Sequence, residues 1–111
     1  MTAADTLVVL VTTPSVEEGQ TIARSLVAER LAACVNVVPG VRSVFFWEGQ
    51  LQEEAEALLV IKTRRERYEA LQRRILELHA YSVPEVLALP VEAGAPAYLA
   101  WLGETVGTEW G

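Results

Sequence analysis

The order of hydrophobic patterns along this 111-residue chain predicts one α+β domain spanning residues 1–111: a ferredoxin-like βαββαβ plait followed by a C-terminal helix. Three observations predict it. Two β-branched runs, Thr6–Thr13 and Cys34–Trp47, read as strands. Two segments with helical spacing follow Ser15 and Thr63, each after a capping-box pattern. Between them, Glu48-Gly49-Gln50 separates two long β segments as the tip of a hairpin would.

The first strand, Thr6-Leu-Val-Val-Leu-Val-Thr-Thr13, is apolar on both faces and reads as central rather than as an edge. Pro14 ends it, and Ser15-Val-Glu-Glu18 opens a helix that sets Ile22, Ala23, Leu26 and Val27 on one face and runs to about Leu31. Cys34 to Trp47 is the next strand, interrupted by Pro39-Gly40, which predicts a bulge or bend. Leu51 to Thr63 returns antiparallel to it. Thr63-Arg-Arg-Glu66 is a second capping box, opening a helix with Tyr68, Leu71, Ile75 and Leu78 inward and ion pairs Glu69–Arg73 and Arg73–Glu77 outward. Glu85–Leu89 makes a short last strand, and Ala97 to about Val106 a last helix.

Composition narrows the function. Fifteen acidic residues against nine basic ones leave a net charge of −6, which disfavours nucleic acid and anionic membranes as partners. The single cysteine, Cys34, excludes an intrachain disulfide. The run Leu7–Val11 is too short for a signal peptide or a membrane span, so a cytoplasmic protein is expected. No glycine-rich phosphate loop, G-x-S-x-G, zincin motif or C-x-x-C is present, and neither an enzyme nor an organic cofactor is expected.

Helices of this plait cover one face of the sheet, and the other face should then be polar in a monomer. Here it is not. Along Leu51–Thr63 the odd positions Ala55, Ala57, Leu59 and Ile61 are apolar, but the even positions also turn apolar at Leu58 and Val60. Each such side chain left in water forgoes roughly 1.5–3 kcal/mol. A homo-oligomer is expected.

Leu31-Ala-Ala-Cys-Val-Asn36, Pro39-Gly40, Phe46-Trp-Glu-Gly49, Ile61-Lys-Thr63, His79-Ala-Tyr-Ser-Val-Pro-Glu85, Leu89-Pro-Val91 and Tyr98-Leu-Ala-Trp-Leu102 occur in the order seen in the CutA proteins. The chain resembles this divalent-cation-tolerance family from about Leu7 to Leu102. The resemblance implies a homotrimer built through the long hairpins, and a part in tolerance to copper and other divalent metals. A further likeness in architecture to the trimeric PII signalling proteins implies a ligand cleft between subunits.

His79 is the sole histidine and, with Glu85, the candidate metal ligand for copper or another divalent cation. Some relatives carry a second histidine and a first-strand cysteine where this chain has Leu78 and Val11, and a proline where it has Ala80. The alternative role for His79 is an imidazole at a helix C-terminus. Trp47, Glu48, Lys62 and Tyr81 are the cleft or interface candidates: Lys62 would anchor an anionic ligand or an ion pair between chains, and Trp47 would pack on a neighbouring subunit. Cys34 reads as a small apolar residue. Arg64, Arg65 and Arg67 read either as an anion pocket or as a solvated face.

Overall fold

The computed structural model describes residues 1–107. After a 3₁₀ turn at Ala3–Asp5, the elements are β1 (Thr6–Thr13), α1 (Val16–Ala28), β2 (Cys34–Trp47), β3 (Gln50–Arg64), a 3₁₀ turn at Arg65–Arg67, α2 (Tyr68–Leu78), β4 (Leu87–Pro90) and α3 (Pro96–Thr105). The four strands form one sheet in the order β2-β3-β1-β4, every neighbouring pair antiparallel. This is the expected plait.

The alternation of each strand decides which side the helices cover. Leu7, Val9 and Val11 of β1 and Ala57, Leu59 and Ile61 of β3 are buried, and all but Ala57 join one core cluster with Ile22 and Leu26 of α1 and Leu71 and Ile75 of α2. A smaller cluster of Ala33, Leu102 and Val106 seats α3 where β2 begins. Gly19 lets α1 lie close on the sheet: a Cβ there would stand 3.0 Å from Thr13 Oγ1 and 3.1 Å from Leu59 Cδ2.

Local chemistry sets the boundaries. Ser15 caps α1 by accepting the N–H of Glu18 at 3.1 Å. The helix stops at Ala28, three residues before the expected Leu31, because Arg30 takes a left-handed conformation (φ 61°). Its N–H donates to Val27 and that of Leu31 to Leu26, a Schellman closure with arginine where glycine is usual. Thr63 does not cap α2. Its hydroxyl donates to the Leu31 carbonyl at 2.7 Å, β3 runs on to Arg64, and α2 begins only after the 3₁₀ turn. Among the described residues the outward ion pairs of α2 belong to Arg74, with Glu29 (3.0 Å) and Glu77 (3.3 Å), rather than to Arg73. Strand β4 starts two residues later than expected, leaving Glu85 outside the ladder.

In the hairpin, Glu48 (φ 51°) and Gly49 (φ 78°) form a two-residue turn with both central residues left-handed, the twist-matched kind for a tight hairpin. The bulge falls at Pro39-Gly40. Val38 faces Leu58 and Val41 faces Glu56, so β2 spends one residue more than β3 between the two pairs. Directly opposed residues share a face. Before the bulge Asn36 and Val38 lie with the even residues of β3; after it Val41, Ser43, Phe45 and Trp47 do.

The sheet face carrying those residues is apolar across all four strands. Leu87 and Leu89 are 57% and 48% exposed, Val38 is 39% exposed, and Val8, Leu10, Leu58 and Val60 are only half-buried. At the far end of the hairpin Val44, Phe46 and Leu51 are also exposed.

Candidate functional site

The bulge brings Phe45 and Trp47 onto the same side as Glu54 and Glu56. The segment after α2 closes over them from the other direction. Together they form a groove of about 810 Å³ that includes Phe45, Trp47, Glu54, Glu56, Tyr81 and Glu85 in its lining. Its size is that of a small-molecule site, and among the described residues no lysine, arginine or histidine lines it.

His79 builds the groove without lining it. The imidazole is 8% exposed. Its Nδ1 accepts the backbone N–H of Tyr81 at 3.0 Å, so Nε2 carries the hydrogen and donates to the Thr12 carbonyl at 2.7 Å. The network assigns the Nε2–H tautomer. In this network both ring nitrogens are engaged with backbone groups: the imidazole anchors the chain after α2, whereas Glu85 lines the groove.

Tyr81 stacks at a tilt on that imidazole, with ring centroids 4.8 Å apart, and its hydroxyl donates to Glu56 Oε2 at 2.8 Å. Burial, the hydrogen bond to Glu56, and the charges of Glu56, Glu54 and Glu18 push the Tyr81 phenol up to about 12. All three carboxylates act in the same direction, so the groove carries a negative field. The glutamates do not converge, however. Among the described residues no three His, Cys, Asp or Glu side chains come together as a set able to hold a metal ion. Within one copy the described residues do not fit a chelated metal.

The other candidates lie elsewhere. Lys62 stands opposite Cys34 and Val8, outside the groove, and its Nζ donates to Asn36 Oδ1. It does not join Trp47 and Tyr81. Glu48 occupies the hairpin turn and is exposed. Cys34 is a free, half-buried thiol at the start of β2. The arginines form no anion pocket: Arg67 donates twice to the Arg30 carbonyl (3.2 and 3.0 Å), Arg65 donates to that of Ala4, and Arg64 donates to that of Gly103 while pairing with Glu66. Phe45, Glu54 and Glu56 were not singled out by sequence. The signal that finds them is the extra residue at Pro39-Gly40, once the register is known.

A family model described as CutA1 divalent ion tolerance protein matches residues 7–105. The chain belongs to this family. It is 50% identical over 100 residues to the divalent-cation tolerance protein CutA of Thermus thermophilus, covering 90% of this chain and 97% of that protein. The solved structure of a divalent cation tolerance protein (Cut A1) from Thermus thermophilus superposes with a TM-score of 0.90 at 49% identity, covering 92% of this chain and 99% of that one. Protein CutA 1, chloroplastic, from rice is 50% identical over 101 residues, 91% of this chain but 57% of the rice protein. The periplasmic divalent cation tolerance protein CutA from Archaeoglobus fulgidus superposes with a TM-score of 0.88 at 37% identity, covering 91% of this chain and 98% of that one. Membership in CutA1 thus rests on nearly the whole length of the chain, and the plait described above is the family's fold.

Proposed function

We propose that this chain is a non-catalytic, cytoplasmic homotrimer that serves divalent-cation tolerance by taking up divalent metal, copper foremost, on glutamates of the groove. The observation that supports this best is the groove's charged lining, which is carboxylate throughout. Such a lining attracts a cation and repels an anion, which favours metal over the small anionic ligand of a PII-like reading. Carboxylate and phenol oxygens are acceptable donors to a divalent ion, and in a given oxygen or nitrogen site Cu(II) binds most tightly of the first-row metals.

Because the glutamates of one copy do not converge, a tight site draws on a second copy. The apolar sheet face gives copies a reason to meet, and the resemblance to CutA proteins supports three as their number. The non-catalytic reading is supported by the state of His79, whose two nitrogens are both committed to backbone groups.

Equilibrium dialysis against Cu(II), with metal analysis of the retained protein, tests the site. The double variant Glu54→Gln, Glu85→Gln should retain clearly less copper than wild type, and equal retention would refute the groove as its location. Sedimentation equilibrium should give three times the 12.2 kDa chain mass. Fractionation of the producing cell decides the compartment, which differs among the chloroplastic and periplasmic relatives by name.

A further inference from the structure

The open sheet face carries opposite charges at the two ends of an apolar strip. Along β3 its residues run Glu54, Glu56, Leu58, Val60 and Lys62, with Glu56 opposite Val41 and Lys62 opposite Cys34. Glu56 and Lys62 are both half-buried within one copy. Each is held by neutral groups. Glu56 Oε2 accepts the Tyr81 hydroxyl, and Lys62 Nζ donates to Asn36 Oδ1 and to the Val60 carbonyl, the latter at 3.5 Å. Among the described residues neither makes an ion pair. They do not meet within a copy, because the strand between Glu56 and Lys62 holds them about 20 Å apart.

Covering the apolar strip takes both charges out of water, and a buried charge without a counter-charge is costly. Copies packed with like positions together would oppose Lys62 to Lys62 and Glu56 to Glu56. Head-to-tail packing, the kind that closes into a ring, opposes unlike charges instead. We propose that in the assembled protein Lys62 of each copy pairs with Glu56 of the next, so that a neighbouring subunit's ammonium completes each groove. The occupant of the face is thus a second copy, argued from charge complementarity across the apolar strip. This rests on the association part of the proposed function. It leaves Glu54 and Glu85 to a metal, and one ammonium beside three glutamates keeps the lining negative.

Lys62 is the only lysine, which makes a test by cross-linking selective. A carbodiimide condenses an ammonium with a carboxylate, losing water and inserting no spacer, so it joins only groups in contact. The treated assembly should run at multiples of the chain mass on a denaturing gel, and peptide mass spectrometry should find the amide between Lys62 and Glu56. Lys62→Arg keeps the charge but forms no such amide; it should assemble as wild type does and lose that cross-link. Lys62→Glu, checked for folding by circular dichroism, should raise the concentration at which the assembly dissociates by at least about tenfold. If the assembled protein yields no Lys62–Glu56 amide, or Lys62→Glu assembles as wild type does, the pairing is refuted while association stands. A wild-type protein that sediments as a single copy overturns both.

Discussion

His79 accepts the backbone N–H of Tyr81 at Nδ1, 3.0 Å away, and this contact fixes where the chain goes after α2. Together with the bond from Nε2 to the Thr12 carbonyl, it ties that segment to β1. Replacing His79 by Ala strips a nearly buried donor and acceptor of their partner and leaves a void. A loss of roughly 2–3 kcal/mol in urea unfolding is expected. His79→Asn, whose carboxamide can still accept the Tyr81 N–H, should recover part of it. If the loss were instead a missing metal ligand, chelator would destabilise wild type by a similar amount. No chelator effect on the difference is expected.

The phenol of Tyr81 carries a pH dependence with a definite sign. Its folded value is pushed up to about 12, above the ordinary value of 10 expected in the unfolded chain. Between these the unfolded chain has released the proton and the folded one holds it, so stability falls as pH rises. The contribution is therefore complete below about pH 10 and gone by about pH 12. Wild type should lose stability relative to Tyr81→Phe across that window and not below it. Absorbance at alkaline pH should show part of the ionisation of the three tyrosines delayed.

Glu48 holds a left-handed conformation in the hairpin turn, at a cost of about 1–2 kcal/mol for a residue with a Cβ. Asparagine tolerates this region better, and Asn-Gly is the favoured pair for the turn. Glu48→Asn should raise stability by about 0.5–1 kcal/mol in thermal or urea unfolding, without changing the mass in sedimentation.

Leu87 lies on the open sheet face, more than half exposed and opposite Leu10. A charge there opposes any contact that buries the face. Leu87→Lys should shift the protein to smaller species in sedimentation velocity while leaving its circular dichroism intact. A wild-type protein that sediments as a stable single copy at micromolar concentration would remove the case for association.

Most of the fold was legible because its signals are local. The β-branched run of β1, the Ser15 cap and the Glu48-Gly49 turn each act within a few residues, and each is where the sequence puts it. The failures came where a distant partner intervened. Thr63 has the spacing of a cap, but Leu31 claims its hydroxyl across 32 positions of sequence. The backbone partners of His79, Thr12 and Tyr81, are likewise invisible in a sequence read locally, the first being 67 positions away. Lys62 and Trp47 were grouped as cleft candidates, yet they sit at opposite ends of the β2–β3 pair. Of the cleft and ligand candidates, Trp47, Tyr81 and Glu85 do share the groove.

The irregularity at Pro39-Gly40 sets the phase of everything beyond it. A strand that kept regular alternation from Asn36 and Val38 would set Val44 and Phe46, not Phe45 and Trp47, beside the carboxylates, with the indole on the far surface; the extra residue of the bulge reverses that phase. One additional residue in β2 therefore decides which side chains of the outer hairpin stand beside the glutamates.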